Sequence, residues 1–439
     1  MTRLLLSVLA IAATAHASPH PDSLAHPIDT PGIIDTIIIA GNEKTRDYVI
    51  LDEMHLKPGM SATPALIEFD RSRIYSLGLF TRVDIFSDSL EGKNFLFVDV
   101  AERWYIIPVP VFGFRDGDPK KPFYGAAVRH NNFQGRNQRL VAAVVFGYNP
   151  SLALGFNDPL IDRERQLYCS AALSYSRVRN RSERAATSGD FDEHHYDING
   201  TLGRRFSLFE TSGLNAGYQI VRIDDYEPGR TVSTDGTDRF LYATIDYTYD
   251  SRDLREYPSQ GRLISGYVSK IGFGESHVNF ARFGAEIRSY TPLPLDLTFA
   301  ARMFGTIVSG GTVPTYSRAY FGYGERIRGY YRTVFEGENL FGTTIELRYP
   351  ILPSRTIHMT SLPLLPEEFA VWRFGISLAL FADAGVEWFR GDKLQFNSFH
   401  SGYGVGINFL LPYSYVARTA YARNEYGKGE FIIDLRATL

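Results

Sequence analysis

Two periodicities divide the chain. Up to about residue 102, short β-rich runs alternate with stretches whose apolar residues recur at helical spacing. From Trp104 onward helical periodicity disappears and apolar and polar positions alternate one for one. Leu241, Ala243, Ile245, Tyr247 and Tyr249 interleave with Tyr242, Thr244, Asp246, Thr248 and Asp250. Phe374, Ile376, Leu378, Leu380 and Ala382 interleave with Gly375, Ser377, Ala379, Phe381 and Asp383. Phe431, Ile433, Leu435, Ala437 and Leu439 do so with Glu430, Ile432, Asp434, Arg436 and Thr438. Period two with one apolar face predicts half-buried strands. About sixteen follow one another with no helix between them: 106–115, 122–131, 138–147, 151–157, 166–178, 193–206, 211–224, 239–250, 261–272, 277–290, 296–306, 341–350, 374–388, 400–411, 414–423 and 429–438. An even number of such strands predicts an antiparallel transmembrane β-barrel of 16 strands over 104–439.

The connections vary in length. Phe156–Leu160, Tyr290–Pro294 and Leu411–Tyr413 are predicted as tight turns, and 179–192, 225–238, 307–340 and 351–373 as long loops. Short turns at one end and long loops at the other is the arrangement of outer-membrane barrels.

The segment 32–102 has a different plan. Ile33 to Ala40 is a β-rich run that ends at the turn signal Gly41-Asn42. Thr45 to Leu56 reads as a helix stopped by Pro58-Gly59. Thr63-Pro64 is a capped start for a second helix, which Gly78 closes. Two strands follow, around Val83-Ile85 and from Phe95 to Val100, separated by the turn Glu91–Asn94. The expected order is β-α-α-β-β, with the second strand, near 82–87, at a sheet edge.

Composition narrows the setting. Basic and acidic residues number 46 and 49, with no basic cluster, so no nucleic-acid partner is expected. Tyr (27), Phe (31) and Gly (39) are abundant, as alternating lipid-facing and water-facing strands require. Residues 1–17 read as a signal peptide: Arg3 is the charged end, Leu4 to Ala13 the apolar stretch, and Ala15-His16-Ala17 the cleavage site. Residues 18–31 read as a flexible leader. No later stretch has the ~18 apolar residues of a spanning helix. The single cysteine, Cys169, excludes an intrachain disulfide and any Cys-rich metal site. No nucleophile-elbow, phosphate-loop or zinc-protease motif occurs, so neither enzyme chemistry nor a cofactor is expected. His194 and His195 are adjacent, and adjacent strand residues point to opposite faces, which argues against one metal site.

Loop 307–340 carries the densest chemistry: Gly310-Gly311, Arg318, and Tyr323-Gly-Glu-Arg-Ile-Arg-Gly-Tyr330 with Tyr331. So many aromatics are costly in bulk water, and folding back into the barrel lumen shelters them. Alternation points Glu346 and Asp383 inward, so Arg328 is placed to pair with Asp383, with Glu346 nearby. Arg forms bidentate carboxylate contacts that Lys cannot. Pro108 and Pro110 fall in the first strand. They mark either a weakly paired seam against the last strand or a linker that precedes a strand starting near Phe112.

These motifs resemble the BamA/TamA family of outer-membrane assembly and transport barrels (the bacterial surface antigen family). Arg328-Gly329-Tyr330 matches its lumen-loop motif. Phe381, Asp383 and Gly385 match its strand motif, with Glu346 as a second acid. Ile39–Thr45, Leu56–Gly59, Leu77–Phe80 with Val83, and Val98–Glu102 resemble a POTRA module. Tyr249–Asp253 with Pro258 and Gly261 resembles a recurrent turn of the family or is an ordinary Asp-rich loop. The resemblance implies an outer-membrane protein with its POTRA module in the periplasm. It implies insertion of outer-membrane proteins or translocation of a polypeptide, by strand addition and lateral opening of the seam. The implied partners are unfolded or nascent outer-membrane proteins or a secreted polypeptide, the lipid bilayer, and accessory periplasmic or lipoprotein subunits. One module where the central assembly factor carries several, and a last residue Leu439 rather than an aromatic, suggest a specialised member. A passive channel or export pore is the alternative, and a barrel enzyme is third.

Overall fold

The structure is a computed structural model that describes residues 32–115, 120–182, 190–273, 277–358, 371–411 and 415–436. The expected signal peptide and leader lie outside the described residues. The N-terminal domain contains β1 (Thr36–Ala40), α1 (Asp47–Leu51), α2 (Pro64–Ser76), β2 (Phe80–Leu90) and β3 (Lys93–Glu102). β3 is central, parallel to β1 and antiparallel to β2, so β2 is an edge. Thr63 caps α2, its hydroxyl accepting from Leu66 N, and Pro64 opens the helix. α1 is shorter than the periodicity suggested, because beyond Leu51 the chain turns to send Glu53 into a buried cluster of arginines. Ile50, Leu56, Ile74, Leu79, Phe80, Leu96 and Val98 form the core between helices and sheet. Gly41 follows β1 with φ of 81°, and a Cβ there would lie 1.9 Å from Val100 O. Asn42 Nδ2 donates to Thr45 O (2.9 Å) and to Asp47 Oδ1 (2.7 Å), which fixes the entry to α1.

Sixteen strands form one antiparallel sheet, the wall of a β-barrel: β4 (Ile106–Phe114), β5 (Pro122–Phe133), β6 (Gln138–Gly147), β7 (Ser151–Asp162), β8 (Leu167–Arg179), β9 (Asp192–Arg205), β10 (Glu210–Ile223), β11 (Thr237–Asp250), β12 (Gly261–Ile271), β13 (Phe280–Pro292), β14 (Thr298–Gly310), β17 (Asn339–His358), β18 (Val371–Trp388), β19 (His400–Leu411), β20 (Tyr415–Asn424) and β21 (Gly429–Arg436). Two short strands, β15 (Ala319–Phe321) and β16 (Phe335–Gly337), pair separately within the β14–β17 loop. The alternation has its expected effect: Leu154, Ile198, Leu241, Ile245, Ile287, Met303, Ile345 and Phe431 are exposed on the outer face. Glu346, Arg348, Asp383 and Asn408 are buried on the inner one. Among the described residues no helix is long and apolar enough to cross a membrane, which says nothing of crossing by strands.

Three expectations need correction. Phe156–Leu160 is not a turn. It lies within β7, whose register slips between Asp158 and Asp162, and the turn comes at 163–166. Asn157 and Asp158 look like turn residues, but Asp158 accepts a bond from Gln138 Nε2 (2.5 Å) and so keeps its place in the sheet. Of the expected long loop 351–373, residues 351–358 and 371–373 are strand, and 359–370 lie outside the described residues. β17 pairs with β14 only as far as Arg348, and β18 with β19 only from Gly375. Beyond those points, after register shifts near Pro350 and Leu352, 355–358 pair with 371–374 as a two-stranded ribbon at the N-terminal domain's end. Its Arg373 lies 4.9 Å from the Tyr75 ring of α2. The expected closing ladder is also missing: β4 and β21 are the two ends of the sheet, and no ladder joins them among the described residues. Pro108 and Pro110 sit opposite Val128 and Ala126 of β5. They share parity in β4, so both donors are lost from the same edge of the strand.

The N-terminal domain lies against one end of the barrel. Arg46 N bonds Gly135 O (2.9 Å) in the β5–β6 turn, and Asn132 Nδ2 bonds Thr45 Oγ1 (2.9 Å). Arg163 of the β7–β8 turn stacks on Tyr48 (4.5 Å). Arg73 Nη2 reaches Leu208 O (3.0 Å) between β9 and β10.

Candidate functional site: a loop clamped in the lumen

The site is built on the connection between β14 and β17. Its apolar residues fold back against the inner wall. Phe321 and Ile327 are buried with Ala319 and Leu340, and Phe304, Tyr330 and Phe335 pack around them. The wall is cut away to receive them. A Cβ on Gly385 would lie 2.6 Å from Phe321 Cζ and 2.8 Å from Ile327 Cδ1. A Cβ on Gly402 would lie 1.6 Å from Arg328 O, so only glycine lets the loop backbone lie flat on β19.

Arg328 is then held on three sides. Its Nε and Nη2 donate to Asp383 Oδ2 and Oδ1, both at 2.7 Å, and its backbone N donates to Oδ2 at 3.0 Å. Its Nη1 donates to Glu346 Oε1 at 2.6 Å. Its guanidinium lies 3.6 Å from the centroid of Phe381. Glu346 gives its other oxygen to Arg348 Nε (2.9 Å). Two arginines and two carboxylates therefore alternate, Arg348–Glu346–Arg328–Asp383, and their charges cancel. The ladder sets this geometry: Glu346 faces Phe381 across β17 and β18, and Asp383 faces Thr344, so all point to the same side. In a site this enclosed each carboxylate lacks water and depends on its donors, which makes the bidentate contact strong.

Other contacts had not been anticipated. Glu430 on β21 accepts from both Gly329 N (2.9 Å) and Tyr331 N (2.6 Å), which ties the loop tip to the last strand. Tyr330 OH donates to Glu425 (2.7 Å). Arg302 makes a bidentate pair with Glu325 of the loop (2.7 and 2.9 Å) and bonds Glu286 (2.5 Å). Arg318 pairs with Glu336. Glu430 and Arg348 were open to the parity argument that pointed to Glu346. Glu325 has no strand alternation to reveal it.

Gly41, Asn42, Pro108 and Pro110 lie outside this cluster. The first two are at the N-terminal domain's turn and the prolines on the edge strand β4. His194 and His195 have separate partners, Asp224 (3.0 Å) and Glu193 (3.0 Å). Among the described residues no group of three His, Cys, Asp or Glu is arranged to hold a metal.

A small α+β domain docked on a 16-stranded barrel, whose lumen holds a loop clamped by Arg328, defines a POTRA-plus-barrel protein. Residues 132–428 match the Omp85 superfamily domain, and residues 32–103 match the POTRA model described as surface antigen variable number repeat. The chain belongs to the Omp85 superfamily, as a BamA/TamA-like member. Among curated proteins it is 25% identical over 287 residues to the outer membrane protein assembly factor BamA of Neorickettsia risticii (61% of this chain, 36% of the relative). It is 24% identical over 315 residues to BamA of Nitratidesulfovibrio vulgaris (68% of this chain, 37% of the relative). The chain thus spans little more than a third of the length of these relatives. In fold it is similar to the crystal structure of Haemophilus ducreyi BamA lacking POTRA domains 1–3 (TM-score 0.55, 14% identity, 92% of this chain, 83% of that one). It is also similar to CdiB from Escherichia coli (TM-score 0.51, 10% identity, 99% and 96%).

Proposed function

We propose that this chain is an outer-membrane protein, with its POTRA domain in the periplasm, that helps nascent outer-membrane proteins insert by strand addition at an open seam. The observation that carries this is the pair of edges, β4 and β21, that no ladder joins among the described residues. Unpaired strand donors and acceptors are expensive in hydrocarbon, where water cannot satisfy them. An edge strand is also a template on which another strand can add. A client hairpin pairing with β4 or β21 removes that cost from both partners. The missing donors of Pro108 and Pro110 keep one edge of β4 weakly bonded, so a client strand can be released. The edge strand β2 of the POTRA domain supplies an earlier docking place of the same chemistry, and it carries the exposed Phe86 and Leu90.

Purified protein in liposomes, mixed with an unfolded outer-membrane barrel, should raise the client's folding rate above that of empty liposomes. A large steady conductance in planar bilayers with no gain in client folding would overturn this reading in favour of an export pore. The loop packed against the lumen wall argues for the first outcome.

A further inference from the structure

The ten residues between β11 and β12, Ser251 to Gln260, are the one connection that touches both the POTRA core and the lumen clamp among the contacts described. The turn is rigid. Asp253 accepts from Leu254 N (2.8 Å), Ser259 N (3.0 Å) and Gln260 N (3.3 Å), and Ser251 N bonds Arg262 O (2.9 Å). At Gly261, φ is 101° and a Cβ would meet Ser251 O at 2.3 Å, so the turn closes only on glycine. Arg252, Leu254, Glu256 and Pro258 are buried, although they lie on a connection between strands.

On its POTRA side, the turn joins a buried carboxylate. Glu53 bonds Arg73 of α2 (2.6 Å) and Arg205 (3.0 Å), and lies 3.4 Å from Arg255 of the turn. Arg255 N also donates to Ser76 Oγ (3.4 Å), and Arg73 Nη1 to Asp250 O (3.3 Å). On its lumen side, the Tyr257 ring lies 4.5 Å from the Arg348 guanidinium, and Arg348 Nη1 donates to Pro258 O (3.4 Å). Tyr257 OH accepts from Asn408 Nδ2 (3.1 Å) on β19. Arg348 is the arginine that shares Glu346 with Arg328. A path therefore leads from Glu53 to Arg255, along the backbone of the turn to Tyr257, and by contacts through Arg348 and Glu346 to Arg328.

We propose that the 251–260 turn is the element through which the POTRA domain holds the lumen loop, with Arg255, Tyr257 and Arg348 as positioning residues. If the POTRA domain swings away, Arg255 loses Glu53 and Ser76. The turn then loses its support, Arg348 is no longer stacked and bonded, and Glu346 is free to reorient away from Arg328. Client docking on the POTRA edge would thereby weaken the clamp. Spatial continuity alone does not make coupling, so the test must measure the effect of one end on the other.

The reporter is Ile327→Cys, at a loop residue that is 2% exposed, in a Cys169→Ser background, since Cys169 is the chain's sole cysteine. The rate of maleimide labelling is read on the folded full-length barrel, checked by heat-modifiable mobility. No client is present, so this result stands or falls separately from the insertion reading. Glu53→Gln should raise labelling about 5–150-fold, the usual range of coupling between sites. Arg255→Ala, on a half-exposed side chain that leaves the POTRA core intact, should act likewise. Tyr257→Ala should match them, and Tyr257→Phe, which keeps the ring over Arg348, should label more slowly than Tyr257→Ala. Arg255→Ala combined with Tyr257→Ala should be no faster than either alone, because both cut one path. Arg163→Ala, which removes a POTRA contact elsewhere, should leave the rate unchanged. Unchanged labelling in Arg255→Ala and Tyr257→Ala, multiplying effects in the double variant, or an equal rise in Arg163→Ala would each overturn the proposal.

Discussion

The lumen clamp gives the sharpest energetic expectation. Arg328→Ala removes four side-chain and ring contacts and leaves Asp383 buried with no guanidinium. Asp383→Ala leaves Arg328 with Glu346, which already serves Arg348. Asp383 and Glu346 are 4% and 2% exposed and Arg328 is 18% exposed, so water does little to compensate. Breaking one partner of such a pair costs about 3–5 kcal/mol. That corresponds to roughly two to three and a half orders of magnitude in the population of the released loop. Arg328→Ala should lie at the upper end, because it strands an acid outright. Asp383→Ala should lie at the lower end, because a carboxylate remains. A double-mutant cycle by urea unfolding in lipid vesicles, followed by tryptophan fluorescence, measures both. The double variant should cost at least ~2 kcal/mol less than the sum of the singles, since neither charge is then stranded. Single costs below ~1 kcal/mol, the range of exposed ion pairs, would refute the buried clamp, and so would simple additivity.

Further outcomes can be checked independently. Glu430→Ala leaves Gly329 N and Tyr331 N without their acceptor, each orphan costing about 1–3 kcal/mol. It should speed amide hydrogen exchange in β21 while exchange in β9 stays unchanged. Burial alone would raise the Glu53 carboxyl, but Arg73, Arg205 and Arg255 outweigh it and hold it below its usual 4.5. Its contribution to POTRA docking is therefore full above 4.5 and lost only as pH falls through the depressed value. A fluorescence-transfer pair across the two domains should report undocking only at acidic pH, and Glu53→Gln should abolish that step. Deleting 32–102 should leave a heat-modifiable barrel with no client-folding activity; unchanged activity would remove the POTRA domain as docking site. A disulfide between Val111→Cys and a cysteine introduced within 430–434 should block client insertion until reductant is added.

Much of the wall could be read from alternation, because one apolar face toward lipid forces a strict period of two. That same period put Glu346 and Asp383 inside. It also placed Phe381 among the inward residues, where its ring now lies under Arg328. The pattern misled where side-chain type and position disagreed. Segment 351–373 suggested a long loop, yet 351–358 and 371–373 continue as strand, with register shifts near Pro350 and Leu352. Asn157-Asp158-Pro159 suggested a turn, yet the bend is absorbed as a register shift within β7. The 251–260 turn gave only a weak signal, because its importance lies in what it touches at both ends. Such contacts between distant parts of the chain leave no local periodicity. That no ladder joins β4 and β21 among the described residues is also a tertiary property, and the two prolines could indicate only that one edge is weak.

The two seam edges are held by different parts of the molecule. β21 is tied inward, since Glu430 takes two backbone bonds from the loop tip. β4 is tied to the POTRA domain. Tyr105, just before it, shares a hydrogen bond with Thr45 (2.9 Å), Arg103 bonds Phe80 O, and Asn131 N bonds Tyr105 O (2.9 Å). Loosening the loop therefore frees β21, whereas moving the POTRA domain pulls directly on β4. If the 251–260 turn couples the two, one displacement of the POTRA domain acts on both edges, through the chain at β4 and through Arg348, Glu346 and Arg328 at β21. A seam opened from both sides presents two templates to an incoming hairpin, one for each of its strands. Opened from one side, it presents a single mobile edge. Comparing hydrogen exchange of β4 and β21 in Tyr257→Ala separates these cases. If the turn transmits, β21 exchanges faster in the variant while β4, still held by Tyr105 and Arg103, does not. Equal acceleration of both edges would mean that the seam responds as one unit and that the loop does not hold β21 on its own.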